Sequence, residues 1–206
     1  MAQRIVRVDV DTQHGFCHPE GGLYVQGAQE VLALVARLNA QAQERGHVIL
    51  GSVDTHESFS AEFQENGGIW PVHCVKGTWD WLKAPETLPK RFLVVAAARY
   101  ERSLERDDVA LYFEKDLYSL FDNPNADPIV RRLGGEGALF QIYGVATDYC
   151  VKAAALGIRE RCPACGIQLV TDAVKPVTSG GGEQAIAQMR SAGIELIDTA
   201  SALSQG

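Results

Sequence analysis

Two motifs place a carboxylate and imidazoles at a spacing that suits a divalent metal. Asp54-Thr55-His56 follows a strand-like segment, and His73 follows in a loop. Because side chains alternate along a strand, Asp54 and His56 point to the same face. A carboxylate with two imidazoles can hold a divalent metal that keeps open positions for water or substrate. The alternative is that Asp54 caps the next segment and that the histidines bind no metal.

A cysteine near the start of a helix is the second candidate for chemistry. In Gly144–Val151 a strand ends in a tight turn and a helix begins near Tyr149, so Cys150 lies in the first helical turn. The positive end of the helix dipole and the unpaired N–H groups there stabilise a thiolate and can bind a developing oxyanion. The alternative is that Cys150 is a small buried apolar side chain, as most free cysteines are.

Two charged residues complete the set of candidates. Asp11 follows the first strand-like segment, and Lys115 ends a later one. A carboxylate beside a thiol can take its proton and later return it to a leaving group. An ammonium beside both keeps the carboxylate ionised and favours the thiolate. Taken singly, each residue is interpreted as an ordinary surface charge or a member of an ion pair.

The elements that must position these residues alternate along the chain. Strand-like segments are Ile5–Asp11, His47–Val53, Phe92–Ala97, Ala110–Lys115, Leu139–Val145, Ile167–Thr171 and Ile194–Ile197. Helical segments are Ala28–Arg45, Asp127–Leu133 with Asp127 as its cap, Tyr149–Arg161 and Glu183–Ala192. Such alternation predicts βαβ units. We expect one α/β domain over residues 1–206, a doubly wound, mostly parallel sheet of about six strands with helices on both faces.

The candidate residues follow strand ends in this scheme. Asp11, Asp54, Lys115 and Cys150 each lie at or just beyond the carboxyl end of a predicted strand. In open α/β sheets, ligands bind outside these carboxyl ends. We therefore expect four segments that are far apart in sequence to converge on one site.

Composition excludes several classes of protein. With 19 basic and 26 acidic residues the formal net charge is −7, so the chain has no global field for nucleic acid or an anionic membrane. The longest apolar run, Phe92–Ala98, is far below the ~20 residues needed to span a bilayer. Met1–Arg4 leads directly into a strand-like segment without an apolar signal region. No GxGxxG follows the first strand, which argues against a dinucleotide-binding protein.

The cysteines indicate a reducing, cytoplasmic compartment. Their number is 5, which is odd, and they are scattered along a chain too large to need disulfides. Cys162 and Cys165 have CxxC spacing, but no second pair of ligands accompanies them. We interpret them as ordinary loop thiols. The sequence leaves open whether the chain forms a homo-oligomer.

Five stretches together resemble the nicotinamidase/isochorismatase-like cysteine hydrolase superfamily. They are IVRVDVDTQHGF from Ile5 with the following Gly21-Gly22, Asp54-Thr55-His56, WPVHCVKGT from Trp70, Phe113-Glu114-Lys115, and GVATDYCV from Gly144. The likeness spans roughly residues 5–175. The stretch from Trp70 is similar to that of nicotinamidases in particular.

The resemblance implies a cysteine hydrolase mechanism. Cys150 would be the nucleophile, with Asp11 as base and then acid and Lys115 as its electrostatic partner. The N–H groups of Ala146 and Cys150 would form the oxyanion hole, and the peptide between Val145 and Ala146 would be cis.

The resemblance also implies the ligands of one divalent metal, which the sequence leaves as zinc, iron or manganese. Asp54, His56 and His73 would hold it. The segment 57–66 lacks the additional histidine found in many relatives, so Glu62, Glu65 or water would complete the shell. Phe16, Trp70 and Val145 would contact the substrate, with the two aromatic side chains flanking its ring.

The expected activity is hydrolysis of a small amide, which would serve as the partner molecule. Nicotinamide and water would give nicotinate and ammonia through a thioester. One alternative is another amidase or a carbamoyl hydrolase of the same superfamily. A second alternative is a catalytically silent protein that keeps the fold and only binds ligand.

Overall fold

A computed structural model describes residues 4–98, 104 and 106–205. Its strands are β1 Ile5–Val10, β2 Val48–Asp54, β3 Phe92–Val95, β4 Ala110–Lys115, β5 Leu139–Val145, β6 Gly166–Lys175 and β7 Glu195–Ile197. Its α-helices are α1 His14–Cys17, α2 Gln29–Arg45, α3 Ala126–Gly135, α4 Lys152–Arg161, α5 Ser179–Ser191 and α6 Thr199–Ser204.

All of these strands join one parallel sheet, in the order β3-β4-β2-β1-β5-β6-β7. The predicted α/β class and parallel sheet are confirmed. The expected count of about six strands was too low, because the sheet has 7. Each strand-like segment forms a strand, including β3 with 4 residues and β7 with 3 residues at the two edges.

The direction of the crossovers creates a crevice at the centre of the sheet. The connection from β1 through α2 leads to β2 on one side, whereas the connection from β5 through α4 leads to β6 on the other. Because such crossovers are right-handed, α2 and α4 cover opposite faces. The point where the direction reverses is the usual ligand-binding crevice of an open α/β sheet. Here it lies between the carboxyl ends of β1 and β5.

Local sequence explains most element boundaries. The predicted stop of α2 at Gly46 is confirmed, since Gly46 is left-handed and its N–H binds the last helical carbonyls. The predicted cap of α3 was wrong: the helix begins at Ala126, and the carboxylate of Asp127 instead pairs with Arg131 and Arg161.

Two boundaries differ from the prediction by four residues. Helix α5 begins at Ser179, four residues before Glu183, with the Thr178 hydroxyl accepting from the Gly181 N–H. Glycine is a poor helix former, so the Gly180–Gly182 run conceals this start in the sequence. Strand β6 continues to Lys175, beyond the predicted end at Thr171.

Within the described ranges, none of the helices combines the length and the apolar character needed to cross a bilayer. Residues 1–3 and 206 lie outside the described residues, so the expectations that involve them, including a domain over 1–206, stay predictions.

The close approach of β5 to β1 depends on a glycine. Gly144 has φ of 114°, and a Cβ there would lie 2.0 Å from the carbonyl oxygen of Val10. We expect Gly144→Ala to lower the free energy of unfolding by at least about 2 kcal/mol, because it adds both a left-handed strain and a clash. Chemical denaturation measures the change.

Gly135→Ala is the matched control, because nothing lies within 4 Å of its added Cβ. It should change the free energy of unfolding by less than about 1 kcal/mol. Equal stability of Gly144→Ala and wild type would contradict the close-packed arrangement of β1 and β5.

Candidate active site

Four strand ends bring the candidate residues together. Asp54 is the last residue of β2 and pairs in register with Lys115, the last residue of β4. Asp11 follows β1 directly, and Cys150 lies in the turn after β5. The predicted convergence at the carboxyl edge of the sheet is therefore observed.

The ammonium group of Lys115 lies at the centre of this arrangement. Its Nζ is 2.9 Å from Asp11 Oδ2, 2.7 Å from Asp54 Oδ1 and 3.5 Å from the Sγ of Cys150. The side chain is fully buried. Two carboxylates and one ammonium leave this centre with a net negative charge, away from bulk water.

Burial and charge determine the protonation of this centre. Burial lowers the pKa of Lys115, but Asp11 and Asp54 outweigh it and raise that pKa well above its usual value. Burial raises the pKa of the Cys150 thiol, and the carboxylates raise it further against the opposing effect of Lys115. Both directions favour the charged form of Lys115 and the neutral form of the thiol, so burial opposes the thiolate that the helix position was expected to stabilise.

Asp11 lies beside both the Lys115 ammonium and the Cys150 thiol. Its carboxylate is fully buried, with Oδ2 2.9 Å from the Lys115 ammonium and the Cys150 thiol beside it. A buried carboxylate with unused acceptor capacity next to a thiol can act as a general base. Asp11 also has φ of 46°, a conformation that costs energy for a residue with a Cβ.

Gln13 holds the loop after β1 against β2. Its amide nitrogen donates to the carbonyl oxygens of Asp54 and Trp81, at 2.9 and 2.8 Å, and its Oε1 accepts from the Asp54 N–H at 2.7 Å. These three bonds fix the backbone of Asp54 relative to the Asp11 loop.

The turn that carries Cys150 is a π-helical segment, Thr147–Val151, which leads into α4. The N–H groups of Tyr149 and Val151 both donate to the carbonyl oxygen of Ala146. The peptide between Val145 and Ala146 is cis, as the resemblance implies. Asp148 anchors the turn from its other side by accepting from the N–H groups of Val177 and Thr178, at 2.9 and 3.2 Å.

Asp54, His56 and His73 form the candidate metal site. Their potential ligand atoms all lie within 4.8 Å of one another. Asp54 Oδ2 is 2.9 Å from His56 Nε2 and 3.3 Å from His73 Nε2. Burial raises the pKa of Asp54, but Lys115 and the two histidines outweigh it and hold that pKa well below its usual range. The carboxylate is therefore ionised and suited to a cation.

The remaining nitrogens of both imidazoles have partners of their own. His56 Nδ1 lies 2.7 Å from Asp116 Oδ1, and His73 Nδ1 lies 2.8 Å from the carbonyl oxygen of Pro71. Such bonds are typical of metal-binding histidines, because they orient the ring and leave Nε2 for the metal. The residues present thus fit a divalent metal.

The two glutamates considered for the shell lie in different places. Glu62 Oε2 is 3.8 Å from His56 Nε2, and this residue lines the pocket beside the triad. Glu65 lies in the short 3₁₀ turn Gln64–Asn66 and is exposed.

A pocket opens next to the thiol and the metal site. It has a volume of about 40 Å³ and an apolar wall. The predicted substrate contacts Phe16 and Trp70 line it. Ala146 of the predicted oxyanion hole, Asp54, His73 and Cys150 also line it. Asp11, His56 and Lys115 do not line it and are buried. Val145 is likewise buried and not part of the wall, so its contact with substrate stays a prediction.

Sequence reasoning missed two aromatic residues of this pocket. Tyr118 accepts a hydrogen bond of 3.0 Å from Trp70 Nε1, and its ring centroid lies 5.2 Å from that of Tyr149. The Tyr149 ring in turn packs edge-on against Trp70 at 5.3 Å. Tyr149 is adjacent to the nucleophile candidate in the sequence, which was an available signal, whereas nothing in the local pattern marks Tyr118.

The comparisons with known proteins agree with this geometry. The model of the isochorismatase domain matches residues 8–201. The chain belongs to the isochorismatase family. It is 24% identical over 216 residues to the nicotinamidase of Acinetobacter baylyi, a match that covers 96% of this chain and 94% of that protein. It is 23% identical over 187 residues to the nicotinamidase of Saccharomyces cerevisiae, covering 73% of this chain and 79% of the relative.

A solved structure of the same family has the same fold. It is a pyrazinamidase of Pyrococcus horikoshii in complex with zinc, with a TM-score of 0.77 and 28% identity, covering 95% of this chain and 99% of that one. The expected superfamily is confirmed, and the chain is an isochorismatase-like hydrolase.

The donor set of the metal site generates the first functional prediction. We expect His56→Ala and His73→Ala each to lower the affinity for Zn²⁺ or Mn²⁺ at least about 100-fold. Losing a metal ligand costs at least as much affinity as losing the group that hydrogen-bonds to that ligand. Elemental analysis and calorimetric titration of the purified variants measure this loss.

His18→Ala is the control, since this exposed residue lies outside the triad. It should bind as much metal as the wild type. Undiminished occupancy in both triad variants would show that the metal is bound elsewhere.

Proposed function

We propose that this protein is a metal-dependent cysteine amidohydrolase that converts nicotinamide and water to nicotinate and ammonia. The observation that carries the proposal is the position of Lys115 Nζ between Asp11, Asp54 and Cys150. It joins a nucleophile, a base and a metal-ligand carboxylate in one buried centre. The nicotinamidases among the relatives support this substrate.

The first half of the proposed reaction forms a thioester. Asp11 takes the proton of the Cys150 thiol as Sγ attacks the carbonyl carbon of the amide. The resulting oxyanion is bound by the N–H groups of Ala146 and Cys150. When the C–N bond breaks, the nitrogen takes the proton from Asp11 and leaves as ammonia.

The second half releases the acid. Asp11 takes a proton from a water molecule, whose oxygen attacks the thioester carbonyl. The C–S bond then breaks, the proton returns to Cys150, and the carboxylic acid leaves. Lys115 stays charged throughout and limits the growth of negative charge as the proton leaves the thiol.

The metal site lies beside the reacting groups. When bound, a divalent metal supplies a coordination position for the ring nitrogen of the substrate. Asp54, His56 and His73 would hold it, with Glu62 as the protein carboxylate for a further position. Zinc, iron and manganese all suit this donor set. The chain's own contribution is to fix the ring so that the amide carbon faces Sγ.

The pocket walls favour a flat aromatic amide. Phe16 and the Trp70–Tyr118–Tyr149 group offer aromatic surfaces, and Cys150 lies at the pocket wall. An aliphatic amide would lose the stacking, which contributes roughly 0.5–1.5 kcal/mol for a well-placed aromatic pair. The alternative of another amidase or a carbamoyl hydrolase would share the cysteine chemistry but not the need for a ring.

The proposal also covers the biological setting. All five cysteines are free thiols in the structure, which suits a reducing cytoplasm. There the product would feed pyridine nucleotide synthesis as part of NAD salvage. A homo-oligomer remains compatible with this setting.

Removal of the nucleophile tests the chemistry. We expect Cys150→Ala to lower the rate of ammonia release from nicotinamide at least about 10³-fold, because the thioester can no longer form. The rate is measured by a coupled ammonia assay at saturating nicotinamide.

Cys17→Ala is the matched control, because Cys17 is equally buried but lies outside the pocket wall. It should retain activity within about threefold of wild type. Brief treatment with iodoacetamide should label Cys150 before the other cysteines. Activity that survives Cys150→Ala would exclude the cysteine mechanism and favour a different use of the fold.

Substrate comparison tests the identity of the amide. Nicotinamide should have a higher kcat/KM than benzamide, which keeps the ring and the amide but lacks the ring nitrogen. Trp70→Ala should lower kcat/KM for nicotinamide by about 3–10-fold through lost stacking and leave metal content unchanged. Steady-state kinetics on both amides measure these effects.

A different ranking of the substrates would distinguish a nicotinamidase from another amidase or a carbamoyl hydrolase. If benzamide or an N-carbamoyl compound has the higher kcat/KM, the protein is not a nicotinamidase. The cysteine hydrolase mechanism would then still stand if Cys150→Ala is inactive.

A further inference from the structure

A second buried ion pair lies beside the loop Asp11–Gln13, which follows β1 and carries the proposed base. Asp9 is fully buried on β1, and Lys83 is 6% exposed; Lys83 Nζ is 3.2 Å from Asp9 Oδ1. Neither side chain lines the pocket. Because removing two charges from water is costly, a buried ion pair adds little net stability to the fold. Stability alone therefore does not account for this pair.

Thr12, which follows Asp11 directly, connects this ion pair to the Asp11–Gln13 loop. Its hydroxyl donates to Asp9 Oδ1 at 2.8 Å and accepts from Lys83 Nζ at 2.8 Å. Its carbonyl oxygen accepts from the N–H of Ala84 at 2.8 Å, which ties the loop to the segment that carries Lys83. We refer to these three side chains as the Asp9–Thr12–Lys83 network.

The other oxygen of Asp9 fixes the network within the protein. Asp9 Oδ2 accepts from Asn39 Nδ2 of α2 at 3.0 Å and from the Tyr112 hydroxyl of β4 at 3.2 Å. The Asp9 carboxylate thus has four donors from four different segments. Such a fully satisfied buried group is rigid, since moving it would break several bonds at once.

Asp11 lies in the sequence between Asp9 and Thr12, two members of the network. It precedes Thr12 directly and has the unfavourable φ of 46°. Strained backbone at a functional residue persists only where its surroundings determine it. The two residues that follow Asp11 are both held by hydrogen bonds. The Thr12 hydroxyl bonds to Asp9 and Lys83, and the Gln13 side chain bonds to the backbone of Asp54.

We infer that the Asp9–Thr12–Lys83 network is a positioning device for the Asp11 carboxylate, with the hydroxyl of Thr12 as its point of attachment. The inference rests on the proposed function, because it assigns the network to the placement of the proposed base. A merely structural network would stabilise the fold without affecting the proton transfer from Cys150. The two roles differ in their effects on kcat and on thiol reactivity.

Thr12→Val is the variant that tests the inference. It removes the hydroxyl, keeps the shape of the side chain and leaves the Asp9–Lys83 pair in place. We expect kcat for nicotinamide to fall about 10–100-fold with KM within threefold, because a displaced base affects proton transfer more than binding. We also expect slower alkylation of Cys150 by iodoacetamide, a measurement that needs no substrate.

Two further variants provide the controls. Thr12→Ser restores the hydroxyl and should recover kcat and the alkylation rate to within about threefold of wild type. Thr171→Val removes a partly buried hydroxyl on β6, remote from the network, which donates to the carbonyl oxygen of Ile197 at 2.9 Å. It should leave both rates unchanged. Thermal unfolding and metal content are recorded for every variant.

A double variant tests the inference without an unpaired charge. Asp9→Asn with Lys83→Met replaces the ion pair by neutral groups, so it should fold. It should lower kcat in the same direction as Thr12→Val but by less, because the Thr12 hydroxyl can still bond to the introduced amide. Wild-type kcat and alkylation in a folded Thr12→Val protein would overturn the inference. If Cys150→Ala retains activity, the proposed function itself fails, which is a separate outcome.

Discussion

The ion pair of Lys115 with Asp11 and Asp54 is the interaction on which the rest of the site depends. One ammonium group, buried on β4, contacts a carboxylate from β1, a carboxylate from β2 and the thiol that follows β5. Without this cation the two carboxylates would be buried beside the thiol with no counter-ion from Lys115, at a high electrostatic cost. The parallel register that places Lys115 beside Asp54 is what makes the arrangement available.

The Lys115 ammonium also connects the two parts of the site. Asp54 presents Oδ1 to Lys115 and Oδ2 to the histidines, so one carboxylate borders both the candidate metal site and the proposed catalytic centre. Asp11 contacts the same cation from the β1 side. The centre is therefore held by long-range contacts between strands, and the loop after β1 adds the Gln13 bonds that keep these strands in place.

Sequence alone predicted the parallel α/β sheet, the convergence at strand ends and the grouping of Asp54 with His56 and His73. The sheet follows from periodicity, and the convergence follows from the position of ligand sites at the carboxyl ends of parallel strands. The grouping of His73 with Asp54 and His56 rests on the family resemblance. Sequence alone could not predict Tyr118 or Asp116, because their roles depend on how the loop after β4 folds over the pocket. It also could not include the burial that raises the pKa of Cys150, since that burial exists only in the folded protein.

A double-mutant cycle on Asp11 and Lys115 tests the central claim most directly. The measurement is kcat for ammonia release by Asp11→Asn, Lys115→Met and the double variant, with unfolding curves to confirm that each is folded. Groups that act as one unit are strongly non-additive. The account predicts that the double variant is within about tenfold of the slower single variant. Losses that multiply, or single variants with wild-type kcat, would contradict it.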